Sequence, residues 1–318
     1  MKRVNDRLRK FIASQAGGWF KIYTMPKFRK RPTQYTFRGL RLPFHRTLVM
    51  GILNVTPDSF SDGGRFLATG GAVKHALAMM DQGADIIDIG GESSRPGAAP
   101  VGEEEELDRV IPVIKGILAK RPGAAISIDT YKPRVARLAL EAGAVMINDI
   151  TGLRDPDMAR LAARTQAPAV IMHMKGTPQT MQRRPAYRNV VEEVILFFKE
   201  RIGSLTAMGV NKIILDPGIG FGKTANHNLA LLNGLERIVA LGYPALVGLS
   251  RKSFIGKTLG AQVEDREIGG VAANAIAIAK GAAIIRVHDA ALGRQTAIMA
   301  DCIRLGKKPV ARRARAGR

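Results

Sequence analysis

From residue 47 onward, apolar positions fall in two alternating patterns. Short runs rich in Val, Ile and Leu are followed by longer Ala/Leu/Glu/Lys stretches whose apolar residues recur three or four apart. The first pattern marks buried strands, the second helices packed by one face. Strands are predicted over 47–55, 85–91, 125–130, 145–151, 169–174, 212–218, 245–250 and 283–289. Helices fit between and after them, over 72–82, 104–120, 133–142, 156–165, 190–208, 227–240, 268–280 and 290–304. Several of the short runs are apolar on both faces, as parallel strands covered by helices are.

Eight βα units in about 250 residues match a closed, parallel (β/α)8 TIM barrel of the α/β class. A doubly wound sheet would rarely use eight such units without a GxGxxG turn after its first strand, and none is present. "GADIIDIGG", "GAVMINDITG" and "GAAIIRVHD" repeat Gly-Ala before an apolar strand that ends in polar residues. "YTFRGLRLPF" (35–44) alternates around Arg38-Gly39, which predicts an N-terminal hairpin closing the barrel floor. The chain divides into a basic N-terminal extension (1–32), the barrel with its hairpin (33–304) and a basic C-terminal tail (305–318).

The net charge of +22 changes little once it is located. Residues 1–46 hold 13 Lys/Arg and one acid, and residues 304–318 hold 7 Lys/Arg and none, so the barrel itself is nearly neutral. Basic tails such as "KFRKRP" and "ARRARAGR" are usually solvated, and any nucleic-acid contact is expected from them alone. The N-terminus is Arg-rich and acid-poor, as transit peptides are, but lacks their Ser-rich amphipathic pattern. Cys302 is the only cysteine, which excludes an intrachain disulfide and suits a cytoplasmic protein. No run of about 20 apolar residues is present, so no membrane span is predicted.

Every predicted strand ends in chemistry. "MGILNVTPDSFSDGG" (50–64) passes from apolar residues to Asn54, Thr56, Asp58 and Ser59. The other strand ends supply Ser94 with Arg95, Asp129, Asn148, Met172 with His173, Asp216, Ser250 with Arg251 and Lys252, and Arg286 with His288 and Asp289. In a parallel barrel these ends surround one mouth. Taken singly, most have a plainer explanation. Asp129-Thr130 and Asp289 fit helix caps, Asp88 and Asp149 fit loop-backbone acceptors, and His173 between two Met fits a packed core histidine. "GIGFGK" (218–223) resembles a phosphate loop but lacks the Walker spacing.

The set as a whole suggests its ligands. Asp129, Asp216 and Asn148 can pair with the edge of a nitrogen-rich heterocycle, as a carboxylate pairs with guanidinium. Arg286 and His288 lie two apart on one strand, share a face and suit a multiply charged phosphate. Met172 offers polarizable surface to a ring. Asn54 and its loop offer neutral oxygens suited to a Mg2+–diphosphate that keeps most of its waters. "SRKSFIG" (250–256) places amides at a predicted helix start, which favours an anion.

"GILNVTPDSFSDGG", "GADIIDIGGESSRPGA", "SIDTYKPRVA", "INDITG", "LDPGIGFGK", "LVGLSRKSFIG" and "IIRVHD" together resemble the motifs of the dihydropteroate synthases, in order from about residue 47 to 300. The resemblance implies condensation of 6-hydroxymethyl-7,8-dihydropterin diphosphate with p-aminobenzoate, releasing diphosphate, with Mg2+ as cofactor, a homodimer and sulfonamide inhibition. It implies that Asp129, Asn148, Asp216 and Lys252 hold the pterin. Arg286 lies against the ring and meets the diphosphate with His288, and Asn54 reaches Mg2+. Ser94, Arg95 and Pro96, with Phe221 and Ser250, frame the p-aminobenzoate site. The family usually has Thr where Ser94 stands; Ser keeps the hydroxyl and loses a methyl. Three other readings stay open: a methyltetrahydrofolate-dependent methyltransferase with a corrinoid partner, a paralogue that only binds pterin, and a basic binding protein acting through its tails.

Overall fold

Arg38 and Gly39 both adopt positive φ (48° and 78°), and there the chain reverses between β1 (Gln34–Phe37) and β2 (Leu40–Pro43). Two consecutive left-handed residues match the right-handed twist of paired strands, and glycine takes the second position without strain. The protein is described by a computed structural model over residues 31–56, 64–94 and 96–306, the side chains of 64–68 excepted.

After the hairpin come β3 (Leu48–Asn54), α1 (Gly64–Asp81), β4 (Ile86–Gly90), α2 (Glu103–Lys120), β5 (Ile126–Asp129) and α3 (Pro133–Glu141). They are followed by β6 (Met146–Asp149), α4 (Pro156–Thr165), β7 (Ala169–Met172), α5 (Val190–Ala207), β8 (Ile213–Asp216), α6 (Ala225–Asn233) and α7 (Leu235–Val239). The chain ends with β9 (Leu246–Gly248), α8 (Ser253–Leu259), α9 (Glu267–Ala279), β10 (Ile284–Val287) and α10 (Ala290–Leu305). The order β8-β7-β6-β5-β4-β3-β10-β9 is parallel throughout. A parallel bridge between Leu215 and Ala245, with Leu215 N–H donating to the Pro244 carbonyl at 2.9 Å, closes the ring. This is the predicted (β/α)8 barrel.

Alternate strand residues fill two separate cores. Ile87, Ile89, Ile126, Ile128, Ile147 and Ile171 face outward and pack under the helices. Leu48, Met50, Ile86, Met146, Val170, Ile214 and Ile284 face inward and fill the lower barrel. The hairpin caps that floor with Tyr35, Leu42 and Phe44. Tyr35 and Phe44 meet edge to face at 5.2 Å, and the Tyr35 hydroxyl donates to the Ile213 carbonyl at 2.9 Å. The N-terminal end of the barrel is therefore sealed, and only the C-terminal end is free to admit a ligand.

Two helices differ from expectation. The predicted helix over 227–240 is broken at Gly234 into α6 and α7. Helix α1 begins at Gly64, eight residues before the predicted start. Its glycine pairs hide the helical period in the sequence. Among the described residues, no helix is long and apolar enough to cross a membrane.

Candidate active site

The upper barrel is lined by inward-facing polar residues in place of the aliphatic ones below. Asn54, Gly90, Asp129 and Asn148 are register partners across β3, β4, β5 and β6. Strand alternation aims Asp88, Asp129, Asn148, Met172, Asp216 and Arg286 toward the same interior as the floor residues. One hydrogen-bonded network joins four of them. The Arg286 guanidinium donates from Nε to Asp88 Oδ2 (2.6 Å) and from Nη2 to Asp129 Oδ2 (2.7 Å). Asn148 Nδ2 donates to the same Asp88 oxygen at 2.9 Å. Asp88 Oδ1 is buried and has no hydrogen-bond partner among the described residues.

Burial dominates the electrostatics. It pushes the Asp129 carboxyl up to about 7 against the pull of Arg286, and neighbouring Asp88 adds to the rise. Asp216 is raised for the same reason, although the Gly218 N–H donates to its Oδ1 at 2.8 Å. The Lys252 ammonium is pushed down to about 8 by burial, opposed by Asp216. It donates to the Ile219 carbonyl at 2.8 Å and sits 4.1 Å from the centre of the Phe221 ring. Phe221 packs against Ile150, Met172, Met174 and Met181, an apolar wall beside the charged groups. Carboxylates, a carboxamide and cations thus face one another beside a soft apolar surface, which suits a flat, hydrogen-bonding heterocycle.

The β8–α6 loop owes its shape to a lysine outside the predicted site. The Lys223 amine is buried and donates to the carbonyls of His173 (3.1 Å), Gly218 (2.9 Å) and Phe221 (2.9 Å), and to His173 Nδ1 at 3.0 Å. Gly218 (φ 66°) lies so close to the His173 carbonyl that no Cβ fits there. The "GIGFGK" stretch is therefore a tied-down turn, with its lysine consumed internally. Burial, then the charge of Lys223, holds the His173 imidazole down at about 3. His173 points away from the mouth, edge to face with Phe197 at 5.0 Å, and is the packed histidine anticipated.

The remaining candidates lie around the rim. His288 Nδ1 is 3.0 Å from Ser250 Oγ, which also accepts from the His288 N–H at 3.3 Å. Ser94 lines a pocket together with Asp129. Pro96 is exposed on the same loop. Asn54 is half-buried at the end of β3. Arg95, Asp58 and Ser59 lie outside the described residues.

Two expectations about carboxylates are corrected. Asp129 does not cap α3: Lys132 holds the cap position with no side-chain bond, and Pro133 opens the helix, which leaves Asp129 to the mouth. Asp88 is no loop acceptor; it anchors Arg286 from the middle of β4. Its place between Ile87 and Ile89 was the available signal, since a carboxylate buried at mid-strand needs a buried cation. Asp149 and Asp289 do serve the backbone: Asp149 accepts from the Thr151 and Leu153 N–H groups, and Asp289 caps α10 through the Leu292 N–H.

A (β/α)8 barrel whose mouth gathers carboxylates, a carboxamide and cations defines a class, and residues 50–288 match the model of the pterin binding enzymes; the chain belongs to that family. It is 50% identical over 262 residues to the dihydropteroate synthase of Clostridium beijerinckii, covering 81% of this chain and 94% of that one. A Yersinia pestis dihydropteroate synthase solved with a sulfonamide drug complex superposes with a TM-score of 0.80 at 46% identity, covering 86% of this chain and 99% of the other. A Xanthomonas albilineans dihydropteroate synthase with 4-aminobenzoic acid gives 0.80 at 44% identity, covering 85% and 98%. The activity is that of a dihydropteroate synthase: transfer of the pterin-methyl group from its diphosphate to p-aminobenzoate, giving 7,8-dihydropteroate in folate biosynthesis.

Proposed function

We propose that the Asp88–Arg286–Asp129 network, with Asn148, Asp216 and Lys252, is the pterin site of this synthase. The carrying observation is that the buried Asp88 and the half-buried Asp129 share one guanidinium inside the barrel mouth. Asp129 and Asp216 accept from the pterin's ring and amino N–H groups, and Lys252 donates to its carbonyl. The ring lies along Met172, with Arg286 against it.

His288 and Arg286 receive the diphosphate. As the C–O bond to diphosphate breaks, its electrons stay on the leaving group and the methylene is left as a cation conjugated with the dihydropterin. Asp129 and Asp216 favour that cation, and Arg286 and His288 favour the departing anion. The neutral p-aminobenzoate nitrogen forms the new C–N bond and gives up its proton to diphosphate or water. Attack on a cation by a neutral amine requires no activated nucleophile. Ser94, Arg95, Pro96, Phe221 and Ser250 frame the p-aminobenzoate; the Xanthomonas enzyme solved with 4-aminobenzoic acid supports the ligand's class.

Mg2+ fits one donor set at the mouth. Asn54 supplies a half-buried carboxamide without a hydrogen-bond partner among the described residues, and no cluster of three His, Cys, Asp or Glu there forms a carboxylate cage. A lone neutral oxygen suits a cation carried mainly by water and diphosphate. When bound, Mg2+ neutralises charge on the leaving group.

A homodimer is supported by the exposed apolar side chains of Ile268 and Ile276 on α9 and Met299 and Ile303 on the adjoining α10. A cytoplasmic location is supported by the lone Cys302. The deciding assay is diphosphate release with and without p-aminobenzoate and Mg2+. Release that depends on both supports the reading; release indifferent to p-aminobenzoate refutes it.

A further inference from the structure

The loop between β4 and α2 is fastened at its base by a buried charge cluster outside the pterin network. Glu92 Oε2 accepts from the Val101 N–H at 3.2 Å, which ties the two ends of the loop together. Its Oε1 accepts from the Tyr131 hydroxyl at 2.8 Å. The Lys132 ammonium donates to Glu92 and also to Glu106 in the first turn of α2. Glu106 is 1% exposed, and burial raises its pKa against the pull of Lys132. At the loop tip, the Gly97 N–H donates to the Pro178 carbonyl at 3.2 Å.

Glu92 and Glu106 of this clamp line the same pocket as Ser94, Asp129 and Tyr131. Lys132 thus joins the loop, α2 and the segment after β5. Without that ammonium, Glu92 and Glu106 become two like charges at close range in a partly dry site. Their repulsion is relieved by opening the base of the loop.

We propose that Lys132 is a positioning residue that holds the β4–α2 loop in register with the pterin floor and so sets p-aminobenzoate affinity. This rests on the assignment of Ser94 to the p-aminobenzoate side. Its signature is a split between the two substrates, because the pterin contacts lie on the barrel strands and on loops other than this one.

The test compares Lys132→Met, Lys132→Arg, Glu92→Gln and Ser94→Ala in the full chain. The KM for p-aminobenzoate, the Kd for pterin diphosphate by calorimetry and the Tm are measured for each. Lys132→Met should raise the p-aminobenzoate KM by about tenfold or more while pterin diphosphate binding stays within about twofold. Lys132→Arg should restore most of the loss, and Glu92→Gln, which keeps the shape but takes the charge from the tie between Lys132 and the loop, should move the p-aminobenzoate KM in the same direction by a smaller factor even if Lys132→Met folds poorly. Loss of both substrates in parallel with Tm would mean an ordinary structural ion pair and would overturn the proposal, as would an unmoved KM. If Ser94→Ala leaves that KM unchanged, the underlying assignment fails. If Ser94→Ala raises it and Lys132→Met does not, the clamp alone fails.

Discussion

Arg286 Nε lies 2.6 Å from Asp88 Oδ2, joining β10 to the middle of β4 across the barrel interior. Asp88 is fully buried and its other oxygen has no partner among the described residues, so Arg286 is the main compensation for that charge. The guanidinium is held in turn: with Nε fixed on Asp88, Nη2 is aimed at Asp129.

Replacing Asp88 should therefore release Arg286 and damage catalysis at a distance. Asp88→Asn preserves the volume but weakens the grip on both Arg286 and Asn148. We expect kcat/KM for pterin diphosphate to fall about a hundredfold. Asp88→Leu leaves the buried guanidinium with Asp129 as its one remaining carboxylate and should cost up to about 3 kcal/mol of stability. Steady-state kinetics and urea denaturation measure the two effects; activity of Asp88→Asn within twofold of the parent would contradict the anchoring role.

The pH profile follows from the two shifted groups. Asp129 must be ionised to accept from the pterin, and burial holds it at about 7. Lys252 must be protonated to donate, and burial holds it at about 8. The profile of kcat/KM for the pterin substrate should be a narrow bell, rising through about 7 and falling above about 8. Stability bears the opposite mark. Unfolded Asp titrates at about 3.9, so between about 4 and 7 the folded state binds more protons and Asp129 lowers stability as pH rises. Unfolded Lys titrates at about 10.4, so between about 8 and 10 Lys252 raises stability with pH. A bell that survives intact in Asp129→Asn would refute the assignment of the acid limb.

Lys223 carries the β8–α6 turn. Lys223→Met removes the donor shared by the His173, Gly218 and Phe221 carbonyls and by the His173 ring. Removing the buried ammonium also removes its desolvation penalty, so the net loss should be about 2–4 kcal/mol. Phe221 rides on this turn, so catalytic efficiency should fall in the fraction that remains folded. Denaturation midpoints with parallel kinetics test both; a variant with parental stability would mean that the turn holds itself.

The strands, their order along the chain and the barrel class were legible in residues 47–303, because a buried parallel strand is apolar on both faces and most helices, the first turns of α1 excepted, show one apolar stripe. The pairing of polar groups was not. Asp129 and Asp289 both read as helix caps, and only Asp289 is one, because Lys132 and Pro133 move the start of α3 past Asp129. Asp88 was lost among isoleucines and Lys223 among glycines, since neither shows its partner in sequence. Sequence alone therefore determined which residue types end each strand, a local property of the chain. Only closure of the ring decided that Asp88 and Asp129 share the Arg286 guanidinium and that Lys223 is consumed by its own loop and by His173 beyond β7. Contacts between groups as many as 198 positions apart depend on the barrel's register, and the charge state of each group depends on how much water that register excludes.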